Sequence, residues 1–163
     1  MSQKSQKYKI IEYIKTGYGA EPEFLWPERY PSYAVFRHGT DGKWFALIAT
    51  ISSKSLGLKD NKEIDIIDLK FDKNQTYDFA ETSNHIFPAY HMNKNNWITV
   101  VLDGELPDGL VLELVRKSFL LSDKWSSDSR RFNVAAQQCT FGAKMAQKVA
   151  QMREVKYILG NNR

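Results

Sequence analysis

Apolar residues along this chain recur first at helical and then at strand spacing, and the switch between the two periods predicts most of the fold. From Lys7 to Thr16, Tyr8, Ile10, Ile11 and Ile14 fall on one side of a short amphipathic helix, which Gly17 and Gly19 should stop. A loop punctuated by Pro22, Pro27 and Pro31 follows. Tyr33 to Arg37 and Lys43 to Ile51 read as two strands joined by His38-Gly39-Thr40-Asp41-Gly42, a turn-rich connection of hairpin length. After a polar, glycine-containing loop over 52 to 63, Ile64 to Phe71 sets Ile67, Leu69 and Phe71 against Asp68 and Lys70, the period of a half-exposed strand. Asp72 with Gln75 resembles a capping box opening a short helix to about Ala80.

The next segment holds a turn, a strand and a helix start in sequence. Trp97 to Leu102 is an unbroken apolar and β-branched run, too short for a useful helix and suited to a strand covered on both faces. Asn93-Lys94-Asn95-Asn96 tolerate left-handed backbone and bond their own main chain, so they form the turn that pairs this strand with Ile86 to Tyr90. Asp103-Gly104 ends the strand, and Pro107 fits a first helical turn, where its missing N–H costs nothing. Asp108 puts negative charge at the positive end of the helix dipole. Leu110, Leu114, Val115, Phe119 and Leu121 then recur at roughly helical spacing, giving a face to cover a sheet. The order is helix, three strands, helix, two strands, helix, and its hairpins segregate from its helices. That predicts an α+β fold in which an antiparallel sheet is backed by helices. Residues 122 to 131, rich in Ser, Asp and Arg, read as a linker. Phe141, Met145, Val149, Met152, Val155 and Leu159 beyond it give a C-terminal amphipathic helix.

Charge changes the picture because of where it sits. The net charge of +4 suggests a polyanionic partner, but residues 1 to 125 carry 16 Lys and Arg against 17 Asp and Glu. Residues 126 to 163 carry 7 against 2. The basicity therefore belongs to the tail, which divides the chain into a domain over 1–125 and a basic linker and helix over 126–163. One cysteine, Cys139, allows no disulfide within the chain and no thiolate metal cluster, and its predicted place on a helix face makes it inert. The polar start and the lack of an apolar run of spanning length predict a cytoplasmic protein without membrane contact. The glycosylation pattern Asn74-Gln75-Thr76 is then empty.

Several blocks resemble one family. Tyr90-His91-Met92-Asn93-Lys94, Trp97, Thr99-Val100, Leu102-Asp103-Gly104, Leu106-Pro107-Asp108 and Ser118-Phe119 are similar to the signature of the MmcQ/YjbR family of small bacterial proteins. Gly19-Ala20-Glu21 with Phe24, Tyr33 to Arg37, Gly42 to Leu47 and Leu69 to Asp72 agree in the same order, so the resemblance spans about residues 7 to 124. It implies a fold compared with frataxin-like proteins and secretion chaperones, and DNA binding through a double-wing arrangement. The wings would be the two hairpin tips, Arg37-His38 with Lys43 and Asn93-Lys94-Asn95-Asn96, with His91 beside the second. Asn96 stands where the family usually has His, and Ile98 where Asn follows the Trp, so a mechanism needing that second His does not carry over.

Other readings compete at the same residues. Trp97 could stack on a base with Lys94 meeting phosphate, but a Trp opening a buried strand reads first as core. Hairpin tips are polar in any soluble protein, and two or three cations per wing give weak, salt-sensitive phosphate binding. His38, His85 and His91 lack the spacing of a zinc site, no Gly-x-Ser-x-Gly elbow occurs, and Gly17-Tyr18-Gly19 has neither the preceding strand nor the third glycine of a dinucleotide loop. The expectation is a DNA-binding protein with no catalytic activity, metal or cofactor. Two rivals remain: a protein- or peptide-binding, chaperone-like module or homodimer using the C-terminal helix, and a ligand pocket around Tyr90, His91 and Trp97.

Overall fold

The computed structural model describes residues 5–72 and 84–123, all within one compact unit, Met1–Lys124. The predicted helix beyond Asp72, the linker beyond Asp123, the C-terminal helix and Cys139 lie outside the described residues.

The described elements are α1 (Gln6–Tyr18), β1 (Ala34–Arg37), β2 (Trp44–Ser52), β3 (Glu63–Lys70), β4 (Ile86–Pro88), β5 (Trp97–Val101) and α2 (Asp108–Ser122). The strands form one antiparallel sheet in the order β1-β2-β3-β5-β4, so the fold is α+β, with both helices contributing to the core on one face. That core joins Ile10 and Ile14 of α1 and Val111, Leu114 and Val115 of α2 to Phe36, Phe45, Ile48, Ile67, Leu69, Ile98 and Val100. A smaller cluster of Ala49, Ile51, Ile64, Ile66 and Val101 lies on the opposite face.

Local sequence accounts for the element ends. Gly19 closes α1 in the left-handed conformation (φ 63°) and returns its N–H to the Lys15 carbonyl at 3.0 Å. Pro107 is the cap of α2 rather than its first helical residue. Asp108 does more than meet the dipole: it accepts from Lys9 Nζ at 2.7 Å and from Gln6 Nε2 at 2.9 Å, tying the two helix starts together, and the Lys9 bond holds its carboxyl below the usual range. In the loop over 52 to 63 the chain forms a short 3₁₀ turn, Ser53–Leu56, ended by Gly57 in the left-handed region.

Four expectations are corrected. Tyr8 is exposed, and Gln6 takes the buried position beside Ile10 and Ile14. Leu121 is exposed while Ser118 and Ser122 are buried: the Ser118 hydroxyl bonds the sheet at the Lys70 N–H and the Phe45 carbonyl, and the Ser122 hydroxyl meets the His38 ring of the first turn. Strand β4 stops at Pro88, not Tyr90: a residue without an N–H suits an edge strand, and the Tyr90 N–H bonds the Thr99 hydroxyl at 2.9 Å instead. Asp68, read from its alternation as outward and solvated, has no exposed surface at all.

Candidate nucleic-acid interface

The antiparallel order brings three chain segments to one end of the sheet. Strand β1 ends there at Arg37 and β2 begins at Trp44, β3 ends at Lys70, β4 ends at Pro88 and β5 begins at Trp97. The 38–43 and 89–96 turns therefore share an end, with the last residue of β3 between them.

At the first turn the predicted contacts are largely consumed by the fold. A register shift between Phe36 and Arg37 places Arg37 opposite Trp44, with its guanidinium 5.4 Å from the Trp44 ring. Arg37 Nε lies 3.0 Å from Glu23 Oε2, close enough to pair as charges but off the hydrogen-bond direction. Lys43 pairs with Asp41 at 3.2 Å, and the Asp41 carboxylate also accepts the Lys43 N–H, which holds its pKa below the usual range even though its partial desolvation, the largest influence, acts upward. His38 does not project from the tip. It is 5 % exposed, packed against Phe45 and Phe119, with Nε2 at 2.9 Å from Ser122 Oγ. Ser122 gives its single proton to the Ser118 carbonyl at 2.6 Å, so the His38 nitrogen is the donor. Burial pushes the His38 pKa below its ordinary value, against the pull of Asp123 and Asp41.

At the second turn the predicted residues stay in solvent. Asn93, Lys94, Asn95 and Asn96 are all exposed. Asn93 accepts the Asn95 N–H on its side chain at 2.9 Å and the Asn96 N–H on its carbonyl at 3.1 Å, fixing the turn, and the Asn96 carbonyl accepts from Phe71 N. Trp97, by contrast, is buried, as expected of a core aromatic.

Lys70, whose sequence signal was only an outward-facing strand position, lies between the turns. Its ammonium sits 5.5 Å from the centroid of the Trp97 ring, its register partner, and among the described residues no carboxylate comes within ion-pair distance of it. Burial, and then the nearby Lys43, lowers its pKa against a smaller opposing pull from Asp41, which describes a partly desolvated cation in no direct ion pair among the described residues.

His91 is held by residues that alternation could not nominate. Asp68 and Thr99 are register partners on β3 and β5, and the Thr99 hydroxyl donates to Asp68 Oδ1. Asp68 Oδ2 lies 3.3 Å from His91 Nδ1, and His91 Nε2 lies 2.7 Å from the Tyr33 hydroxyl. With Nδ1–H directed at the carboxylate, Nε2 of the neutral ring accepts from Tyr33. Burial raises the Tyr33 pKa, so this hydroxyl keeps its proton. Tyr90 and His91, grouped with Trp97 as a possible pocket, do meet, with ring centroids 4.4 Å apart, while Trp97 belongs with Lys70. A buried acid opposite a Thr, facing a His across the sheet, was the only sequence signal for this array, and it needs the strand register to be read.

Among the described residues no three His, Cys, Asp or Glu side chains are grouped to hold a metal ion, and no helix is long and apolar enough to cross a membrane. The YjbR family model matches residues 16–121. YyaQ of Bacillus subtilis is 38% identical over 113 residues, which are 69% of this chain and 94% of that protein. YbdF of Escherichia coli O157:H7 is 33% identical over 99 residues, 61% of this chain and 70% of that one. A crystal structure of a Pseudomonas syringae protein is 38% identical with a TM-score of 0.68, covering 72% of this chain and 98% of the other. A Deinococcus radiodurans structure, 24% identical with a TM-score of 0.54 over 71% of this chain and 79% of that one, has a similar fold.

Proposed function

The chain belongs to the YjbR family, and within that family we propose that it is a cytoplasmic nucleic-acid-binding protein, without catalytic activity, that engages the phosphate backbone at the two-turn end of its sheet. The observation that carries this reading is Lys70: a partly buried cation in no direct ion pair among the described residues, set between two turns of which one presents Lys94 to solvent. A phosphate supplies the missing charge, and Lys43 is close enough to add to the field. The Asp68–His91–Tyr33 array has the connectivity of a catalytic triad, but a tyrosine whose proton is held more tightly than usual is a poor nucleophile, which favours a structural role.

Titrating the full chain into labelled DNA at several salt concentrations tests the reading. With Lys70 and Lys94 each meeting one phosphate, log affinity should fall against log salt with a slope of roughly 2. In the double variant Lys70→Gln, Lys94→Gln the slope should drop by about 2. No binding at low salt refutes the reading, and an unchanged slope in the double variant assigns the binding to the basic residues beyond 125. Exposed Phe24 and Trp26 favour a second reading, docking of a protein segment, which sedimentation of the full chain with and without Trp26→Ser would check.

A further inference from the structure

Four rings lie in contact from the loop before β1 to the turn before β5. Tyr30 stacks on Tyr33 with centroids 4.7 Å apart and planes 26° from parallel, Tyr33 meets the edge of His91 at 4.8 Å, and His91 meets Tyr90 at 4.4 Å. The inner two are fixed by the hydrogen bonds that run through His91 to Asp68 on the central strand. The outer two remain open: Tyr30 is 37 % and Tyr90 43 % exposed. A single half-exposed tyrosine is ordinary, but here a fully buried carboxylate holds the inner rings of the row still. Cations accompany it. The Arg29 guanidinium lies 5.3 Å from the Tyr30 ring centroid, and Lys94 is four residues from Tyr90 in the same turn.

Resting on the nucleic-acid reading above, we propose that this ladder is a stacking platform and that the partner is a single strand with unpaired bases. In a duplex each base face is covered by its neighbours, so an exposed tyrosine has nothing to stack on, whereas a single strand offers a π-face at every nucleotide. Two wings gripping a duplex would need free cations at both turns, and the first turn has set Arg37 against Glu23 and Lys43 against Asp41. One cationic turn beside fixed, open aromatics suits a strand whose phosphates track Lys94 and Lys70 while its bases lie on Tyr90 and Tyr30. Base stacking is tolerant of sequence, so little sequence preference is expected.

Competition between labelled oligo-dT, the same strand annealed to oligo-dA, and oligo-rU for the full chain at one moderate salt concentration tests this. The single strands should bind at least tenfold more tightly than the duplex. Tyr90→Ala should weaken oligo-dT binding by roughly tenfold, about the loss of one stacked base, while leaving duplex binding unchanged, and Tyr90→Phe should retain it. Unchanged thermal unfolding of the exposed Tyr90 variants separates this from a folding defect. Equal or tighter binding of the duplex, or an unaffected Tyr90→Ala, overturns the platform and leaves the nucleic-acid reading standing. Binding to neither form overturns both.

Discussion

In the β1–β2 turn, Arg37 faces Glu23, Lys43 faces Asp41 and the His38 ring is buried against Phe119 and Ser122, whereas in the β4–β5 turn Asn93, Lys94 and Asn96 stand in solvent on a turn fixed by its own main chain. Both turns are polar and basic in sequence, and both lie at one end of the sheet. The fold uses the first for its own cohesion and leaves the second available. A polar residue at a hairpin tip has chemistry to offer only when neither its own loop nor a distant element has claimed it.

The largest expected effect comes from what anchors the second turn. Asp68→Ala removes an acceptor bonded by Thr99 and His91 in a site without water access, and should lower stability by about 3 kcal/mol, measured by urea unfolding. A loss below about 1 kcal/mol would mean that His91 is not held through the sheet. His38→Ala comes next, at about 2 kcal/mol for a lost hydrogen bond and lost ring contacts, with nucleic-acid affinity unchanged. An affinity loss without a stability loss would invert the comparison.

Acid should act through the same histidine. The folded state holds the His38 pKa below its ordinary 6.5, so its neutral form is favoured by folding: that stability is fully present above 6.5 and is lost as pH falls through the lower folded value. The wild type should therefore lose melting temperature between neutral and mildly acid pH, and His38→Gln should lose less over the same window. Equal slopes would remove His38 as the cause.

Lys94→Ala is expected to do the reverse of His38→Ala, changing stability by less than about 0.5 kcal/mol while reducing oligonucleotide affinity several-fold and the salt slope by about 1. The smallest effect belongs to Lys43→Ala. Its pairing with Asp41 is partly exposed and worth at most about 0.5 kcal/mol, and its contact with phosphate competes with that pairing. An affinity loss at Lys43 as large as at Lys94 would restore the first turn as an equal wing.

The two strand runs Tyr33 to Arg37 and Lys43 to Ile51 with the turn between them, the asparagine turn and the glycine that ends α1 are local properties, and the structure has each where the pattern puts it, within a residue or two at the ends. Asp68 and His38 fail for a shared reason. Period-two alternation assigns Asp68 to a solvated face, but Tyr33 and His91, 35 residues before and 23 after, fold over that face and dry it. His38 sits among turn residues, yet its partner Ser122 is 84 residues away. Lys70 was legible as an outward strand residue, but its lack of a direct ion-pair partner among the described residues depends on what the neighbouring segments place beside it.

The most direct measurement is an NMR titration of the isotope-labelled full chain with oligo-dT, following backbone amide shifts residue by residue. The shifts should concentrate at 29–33, 70–72 and 89–97, with the 38–42 turn much less affected and α1 unmoved. Shifts confined to residues beyond 125, or spread over the helical face, would contradict this.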